Sequence, residues 1–257
     1  MGHDNVRVER DGQIVTVTID QAKKMNACTP GMWAAIREAF DEIGRSDARV
    51  AVITGANGEF CAGADLWSEE ERTRGGLDMM RDLGSTVMAV HGCPKPVVAK
   101  VDGVAVGAGF GLALAADLLW CSDRARFSLI FAKRGLSIDF GTSWLLPRRI
   151  GLHRAKRLAF TGDVIDAATA ADIGFVNQVV PVHDLDLAVD EIVQQVAAGP
   201  PIALSMTKRL LDNSASASLA QALEAEGTAQ AVNFGTEDLS EALAAYVEKR
   251  PPEFRGR

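Results

Sequence analysis

The chain has 257 residues, 47% apolar and 24% charged, enough to bury a sizeable core in one large domain or two small ones. A formal charge of −7 argues against nucleic acid or an anionic membrane as the main partner, so an anionic ligand has to be held by local groups. No apolar run is long enough to span a bilayer and Met1–Arg10 has no secretory core, so a cytoplasmic protein is expected.

Ile14-Val-Thr-Val-Thr-Ile19 alternates as a half-exposed strand does. Thr29-Pro30 sets an N-cap before a first-turn proline, and Met32, Trp33, Ile36, Phe40 and Ile43 follow at helical spacing to a stop near Gly44. Val50–Thr54 reads as a buried strand, followed by a small-residue loop, Gly55–Gly63, and a solvated charged stretch, Ser68–Arg74. Val97–Val101 and Leu118–Cys121 read as buried strands on either side of a glycine-rich turn and an apolar helix. Beyond Gly141 helical patterns dominate: Thr142–Arg149, Arg154–Phe160, Ala167–Ile173, Leu185–Ala197, Pro201–Asn213, Leu219–Phe234 and Glu237–Lys249, with one late strand at Val176–Val180. Strand–helix alternation implies parallel pairing through right-handed crossovers. The expected architecture is one α/β unit, with residues 1–195 as its core and 196–257 as a helical C-terminal region.

Cys28, Cys61, Cys93 and Cys121 lack Cys-x-x-Cys spacing and are expected as four free, buried thiols. His3, His91, His153 and His183 show no metal-ligand spacing, and no G-x-S-x-G occurs. Neither a metal site nor an α/β serine hydrolase is expected.

Gly107-Ala-Gly-Phe-Gly111 ends a strand and opens a helix, where bare N–H groups and the helix dipole favour an anion. The spacing is not that of a dinucleotide-binding turn, and no acidic residue ends a strand about 20 residues on. A tight structural turn remains open. A second loop, Phe60-Cys-Ala-Gly-Ala-Asp65, also follows a buried strand and is equally poor in side chains. Two such turns can aim two N–H groups at one oxygen, as an oxyanion hole requires.

These segments carry a family resemblance. Ile53-Thr-Gly, Phe60-Cys-Ala-Gly-Ala-Asp-Leu66, Lys95-Pro-Val-Val-Ala-Lys-Val-Asp-Gly103, Val106-Gly-Ala-Gly109, Leu145-Leu-Pro-Arg148, Gly151-Leu-His-Arg-Ala155, Leu158-Ala-Phe-Thr-Gly162, Ala171-Asp-Ile-Gly-Phe-Val-Asn177 and Tyr246-Val-Glu-Lys-Arg250 stand in one register. In that register the chain resembles the crotonase superfamily, the enoyl-CoA hydratase/isomerase family. The resemblance implies an α/β spiral of ββα turns with a helical C-terminal trimerisation layer, assembled as trimers or dimers of trimers. It implies acyl-CoA thioester substrates, with coenzyme A as part of the substrate and no further cofactor. The N–H groups of Ala64 and Ala108 occupy the positions that hold the thioester oxygen. CoA contacts are implied at Met25, Ala27, Ala62, Ala64, Asp65 and Leu66, with Tyr246 and Lys249 near the nucleotide end, from a neighbouring subunit. Asp65 reads as a brace of its loop or a cap of the next helix rather than as a group that performs chemistry.

The departures are informative. Where hydratases of this family carry two glutamates, this chain has Gly111 and Phe131. Asp139, in Gly135-Leu-Ser-Ile-Asp-Phe-Gly141, matches the position of the single aspartate base of several isomerases, although Ile138 stands where they often have proline. One carboxylate suffices for a 1,3-proton shift, and Ile138 and Phe140 would partly desolvate it. By position alone Asp139 is also a candidate cap for the helix starting at Thr142. The expected activity is acyl-CoA isomerisation. The alternatives are a hydratase recruiting a carboxylate from Glu69–Glu71, and a non-catalytic acyl-CoA-binding protein.

Overall fold

A computed structural model describes residues 4–65 and 76–257. Leu66, Glu69–Glu71, the rest of Ser68–Arg74 and His3 lie outside the described residues.

The main sheet has six strands in the order β1-β2-β3-β4-β6-β9. These are β1 (Val6–Asp11), β2 (Ile14–Ile19), β3 (Val50–Gly55), β4 (Val97–Val101), β6 (Leu118–Ser122) and β9 (Gln178–Val180). β1 and β2 form an antiparallel hairpin, and every later pairing in this sheet is parallel, as the strand–helix alternation predicts. β3 and β4 are apolar and almost wholly buried because both faces of the sheet are covered. On one face Leu185, Val189 and Val193, at helical spacing, pack on Val50, Val52, Val98 and Trp120.

The opposite face supports the site. It carries α1 (Pro30–Arg45), α2 (Leu77–His91) and α3 (Ala108–Ala115). Thr29 caps α1 by accepting from the Met32 N–H at 3.3 Å. All eight residues of α3 are buried, and a helix apolar all round is stable only inside a core.

A second, inner sheet orders β5 (Val104–Val106), β7 (Arg126–Ser128) and β8 (Val164–Asp166). Single bridges extend it from Ala105 to Cys61 and from Ala64 to Cys28. Each turn of the chain thus contributes a strand to the outer sheet and a shorter one to the inner sheet, then a helical segment. That is the expected spiral of ββα turns.

After α4 (Thr142–Ile150), α5 (Leu152–Thr161), α6 (Ala167–Ile173) and α7 (Leu185–Ala197) come α8 (Pro201–Ser214), α9 (Leu219–Phe234) and α10 (Glu237–Glu248). α8 is tied to the core by Lys208, whose ammonium lies 2.8 Å from Asp117, which also accepts from the Val97 N–H at 2.7 Å. The helices match their sequence-based limits within two residues, while the late strand shrinks to Gln178–Val180 because Phe175 and Val176 are drawn into the core. The sequence pattern does not show β1, α2 or the inner sheet. In β1 only Val6 is buried, and the inner strands are three residues each, too short for periodicity. All four cysteines are free and buried, as expected. No helix among the described residues is long and apolar enough to cross a membrane.

Candidate active site

The loop after β3 threads between the Cys28 segment and β5. Cys61 donates to the Val104 carbonyl at 2.9 Å and accepts from Val106 at 3.0 Å. On its other edge, Cys28 donates to Gly63 at 2.8 Å and Asp65 donates to Cys28 at 2.9 Å. This parallel bridge uses the groups flanking Ala64, so Ala64's own N–H turns away from Cys28, to the side where β5 ends.

The second loop arrives there. Gly107 adopts φ 57°, ψ −122°, a conformation favouring glycine, and donates to Ser128 at 2.9 Å. α3 then starts at Ala108. The two loops meet at Gly63, φ 97°, where an added Cβ would lie 2.8 Å from the Val106 carbonyl oxygen and 3.4 Å from the Ala108 nitrogen. Neither the Ala64 nor the Ala108 N–H donates to a backbone acceptor among the described residues. Two free donors beside one glycine, one of them at a helix N-terminus, can stabilise an oxygen that becomes anionic.

Asp139 sits in a tight loop before α4. Its main-chain carbonyl accepts from the Thr142 N–H at 3.0 Å and the Thr142 hydroxyl at 2.7 Å. The cap position itself belongs to Gly141, without any side-chain bond. The carboxylate is therefore not a helix cap, and that sequence alternative falls. Its Oδ1 is buried with no hydrogen-bond partner, and burial pushes the carboxyl up to about 6. Phe140 packs its ring on Trp33, with centroids 4.6 Å apart. Phe140 also rests against Gly111 in the first turn of α3, three residues from Ala108 and on the same helix face. The base candidate and one candidate oxyanion donor therefore share a single buried helix as their support.

The two hydratase positions are filled differently. A Cβ at Gly111 would fall 2.7 Å from the Phe140 carbonyl oxygen, leaving no room for a side chain. Phe131 is buried in the core, its ring near Gly107.

The remaining sequence candidates divide. Asp65 is 3% exposed and ion-paired with Lys24, so it braces the loop that presents Ala64. Ala27 is buried, Ala62 and Ala64 are partly accessible, and Met25 is half exposed in a left-handed conformation. Ala62 is held to Met25 by an N–H···O bond of 3.0 Å, so these residues form one continuous wall. Tyr246 and Lys249 are exposed at the end of α10, which packs on α9, and neither side chain has a hydrogen bond or ion pair with the described residues. Lys249, expected inside the last helix, instead caps it with φ 56°.

Sequence reasoning passed over Asn26. It is fully buried with φ 57°, accepts from the Gln21 N–H at 2.7 Å, and donates to the carbonyls of Ala56 and Glu59 at 2.9 and 2.6 Å. It ties the Met25–Ala27 segment to the start of the loop that carries Ala64. The available signal was an asparagine before small residues, a type that tolerates left-handed backbone. Among the described residues no three His, Cys, Asp or Glu side chains gather as metal ligands would.

The family model described as enoyl-CoA hydratase/isomerase matches residues 9–257. The chain belongs to the enoyl-CoA hydratase/isomerase family. Among its relatives in this family, a probable enoyl-CoA hydratase from Rhodobacter capsulatus is 33% identical over the whole of both chains. A 1,2-epoxyphenylacetyl-CoA isomerase from Escherichia coli is 32% identical, covering 95% of each. A crystal structure of a putative enoyl-CoA hydratase from Streptomyces coelicolor A3(2) superposes with a TM-score of 0.93 at 36% identity, over 98% of this chain and 94% of that one. The chain thus has the crotonase fold and the acyl-CoA hydratase/isomerase chemistry of its family.

Proposed function

We propose that this protein is an acyl-CoA isomerase that moves a double bond by proton transfer on Asp139. The observation that carries this reading is the half-buried Asp139, whose Oδ1 is buried and unpartnered, in a chain whose positions 111 and 131 hold no carboxylate. The thioester oxygen lies between the Ala64 and Ala108 N–H groups. Asp139 takes the proton from the α carbon of a 3-enoyl thioester, and the electron pair moves into an enolate whose charge rests on that oxygen. The same carboxyl then returns the proton to the γ carbon, leaving a 2-enoyl thioester. No water or oxidant is consumed. A carboxyl with a pKa near 6 is well matched to taking up and releasing a proton near neutral pH. Each oxyanion donor is worth roughly 3–4 kcal/mol of transition-state stabilisation.

Coenzyme A enters as part of the substrate along Met25, Ala27 and Ala62. Its nucleotide end is met by Tyr246 and Lys249 of a neighbouring copy in a trimer. Leu211, Leu219, Leu223, Phe234, Leu243 and Val247, all exposed on α8–α10, support such an association.

Asp139→Asn should lower interconversion of 3-enoyl- and 2-enoyl-CoA by about 10²-fold or more while thioester binding stays within a few fold. Undiminished turnover by this variant overturns the assignment. Hydration is the second reading, favoured by the hydratase names among the relatives. It predicts a 3-hydroxyacyl-CoA product carrying oxygen from labelled water.

A further inference from the structure

We propose that Gly111 and Phe140 form a steric lock that sets where Asp139 stands and excludes a carboxylate from position 111. The inference rests on Asp139 being the base, and it concerns how that base is held.

The lock is built from parts that cannot rotate aside. A Cβ at Gly111 would lie 2.7 Å from the Phe140 carbonyl oxygen, 2.9 Å from its Cβ and 3.1 Å from its Cδ1. The first two atoms belong to the backbone and its first side-chain carbon, so no rotamer change relieves the contact. Phe140 holds φ 50°, a left-handed conformation that costs a bulky side chain of order 1 kcal/mol or more unless its surroundings impose it. Packing imposes it here. The Phe140 ring is buried against Trp33 of α1. At the next residue, Gly141, φ is 74° and a Cβ would meet Val87 of α2 at 3.0 Å and Leu145 of α4 at 3.2 Å. Three helices close the loop from behind, and α3 closes it from the front.

Asp139 is consequently pinned at its carbonyl end, by Thr142 and by the locked Phe140 that follows it. Ala108 lies one turn back from Gly111 on the same helix. Any side chain at 111 pushes the Phe140 carbonyl off α3 and carries Asp139 away from the oxygen held at Ala108. Position 111 can admit the Asp139 loop or a side chain of its own, and this chain has taken the first course. Gly111 and Phe140 are positioning residues and touch no substrate atom in this scheme.

The test uses Gly111→Ala, Phe140→Leu and Gly111→Glu in the full-length protein, with 3-hexenoyl-CoA as probe. The readouts are isomerisation and the pH profile of kcat, with thermal melting as the folding control. Gly111→Ala and Phe140→Leu should each lower kcat about tenfold or more with KM within about threefold. The acid limb should move from about 6 toward ordinary carboxylate values, because a displaced Asp139 is more hydrated. Gly111→Glu should lose isomerisation without forming a 3-hydroxyacyl product. Unchanged kcat and unchanged midpoint in a folded Gly111→Ala overturn the lock, as does hydration by Gly111→Glu. Should Gly111→Ala not fold, Phe140→Leu decides alone, since it adds no atom at position 111. If Asp139→Asn remains active, the base assignment fails. If it is inactive while the three variants behave as wild type, only the lock fails.

Discussion

Burial of the Asp139 carboxyl ties activity and stability together with opposite signs. The folded value near 6 lies above the roughly 3.9 of an unfolded aspartate, so the native state holds its proton more tightly between those limits. The cost of ionising this group in the fold is absent below about pH 4, grows through that window, and is complete above about pH 6. Asp139→Asn should therefore be more stable than wild type at pH 7.5, by of order 1–2 kcal/mol after allowing for partial exposure, and should match wild type at pH 4. Wild-type turnover should rise with pH through about 6. A gain in stability that is the same at both pH values would show that Asp139 is not the titrating group. Burial acts on the cysteines in the same direction. Burial, with the neighbouring Cys61, raises the Cys28 thiol well above its usual range, and burial pushes Cys121 up to about 12. Iodoacetamide at pH 8 should label none of the four thiols in the native protein and all four in denaturant. Rapid native labelling would contradict this burial.

The proposed oxyanion site depends on two turns and one helix. Gly63 and Gly107 both have positive φ but for different reasons. At Gly107 the nearest atoms to an added Cβ are side-chain carbons at 3.8 and 3.9 Å, so only the backbone conformation resists substitution. At Gly63 the Val106 carbonyl oxygen stands 2.8 Å away, where a methyl would force β5 and the Ala64 loop apart. Gly63→Ala should reduce kcat by about 10²-fold or more, the loss expected when an oxyanion donor is displaced. A Gly63→Ala enzyme with wild-type kcat would place the oxyanion hole elsewhere. These turns were recognisable from sequence because glycine and alanine runs after apolar strands leave backbone uncovered. α2 was not, since Leu77–His91 begins without a side-chain cap and carries Gly84 in its interior. The strands of the inner sheet escaped for another reason: three residues hold too little alternation, and their pairing joins segments far apart in the chain.

One copy of the chain leaves much apolar surface uncovered at its C-terminal end. α8 buries no residue fully and α9 only Ala229, while Leu219 is 76% and Val247 79% exposed. Helices this poorly covered favour burial against another surface, which the proposed trimer would supply from a second copy. Size-exclusion chromatography with light scattering should give a multiple of 27.4 kDa, threefold for the expected trimer. Leu219→Glu combined with Val247→Glu should shift the population toward the single-chain mass. A wild-type protein that runs as a monomer would remove the proposed contribution of Tyr246 and Lys249 from a neighbouring copy.

The sequence by itself determined the family, the parallel α/β core, the long helices and the two small-residue turns, because periodicity and bare backbone are local properties. It also determined that two carboxylates are missing. Packing shows what stands in their place. Whether position 111 has room for a side chain depends on Phe140, 29 positions further along the chain, on Trp33 of α1 against its ring, and on α2 and α4 packed around Gly141. Whether Asp139 caps a helix or stands unpartnered depends on which of its oxygens Thr142 meets. Those are facts of packing between distant segments, and no pattern along the chain encodes them.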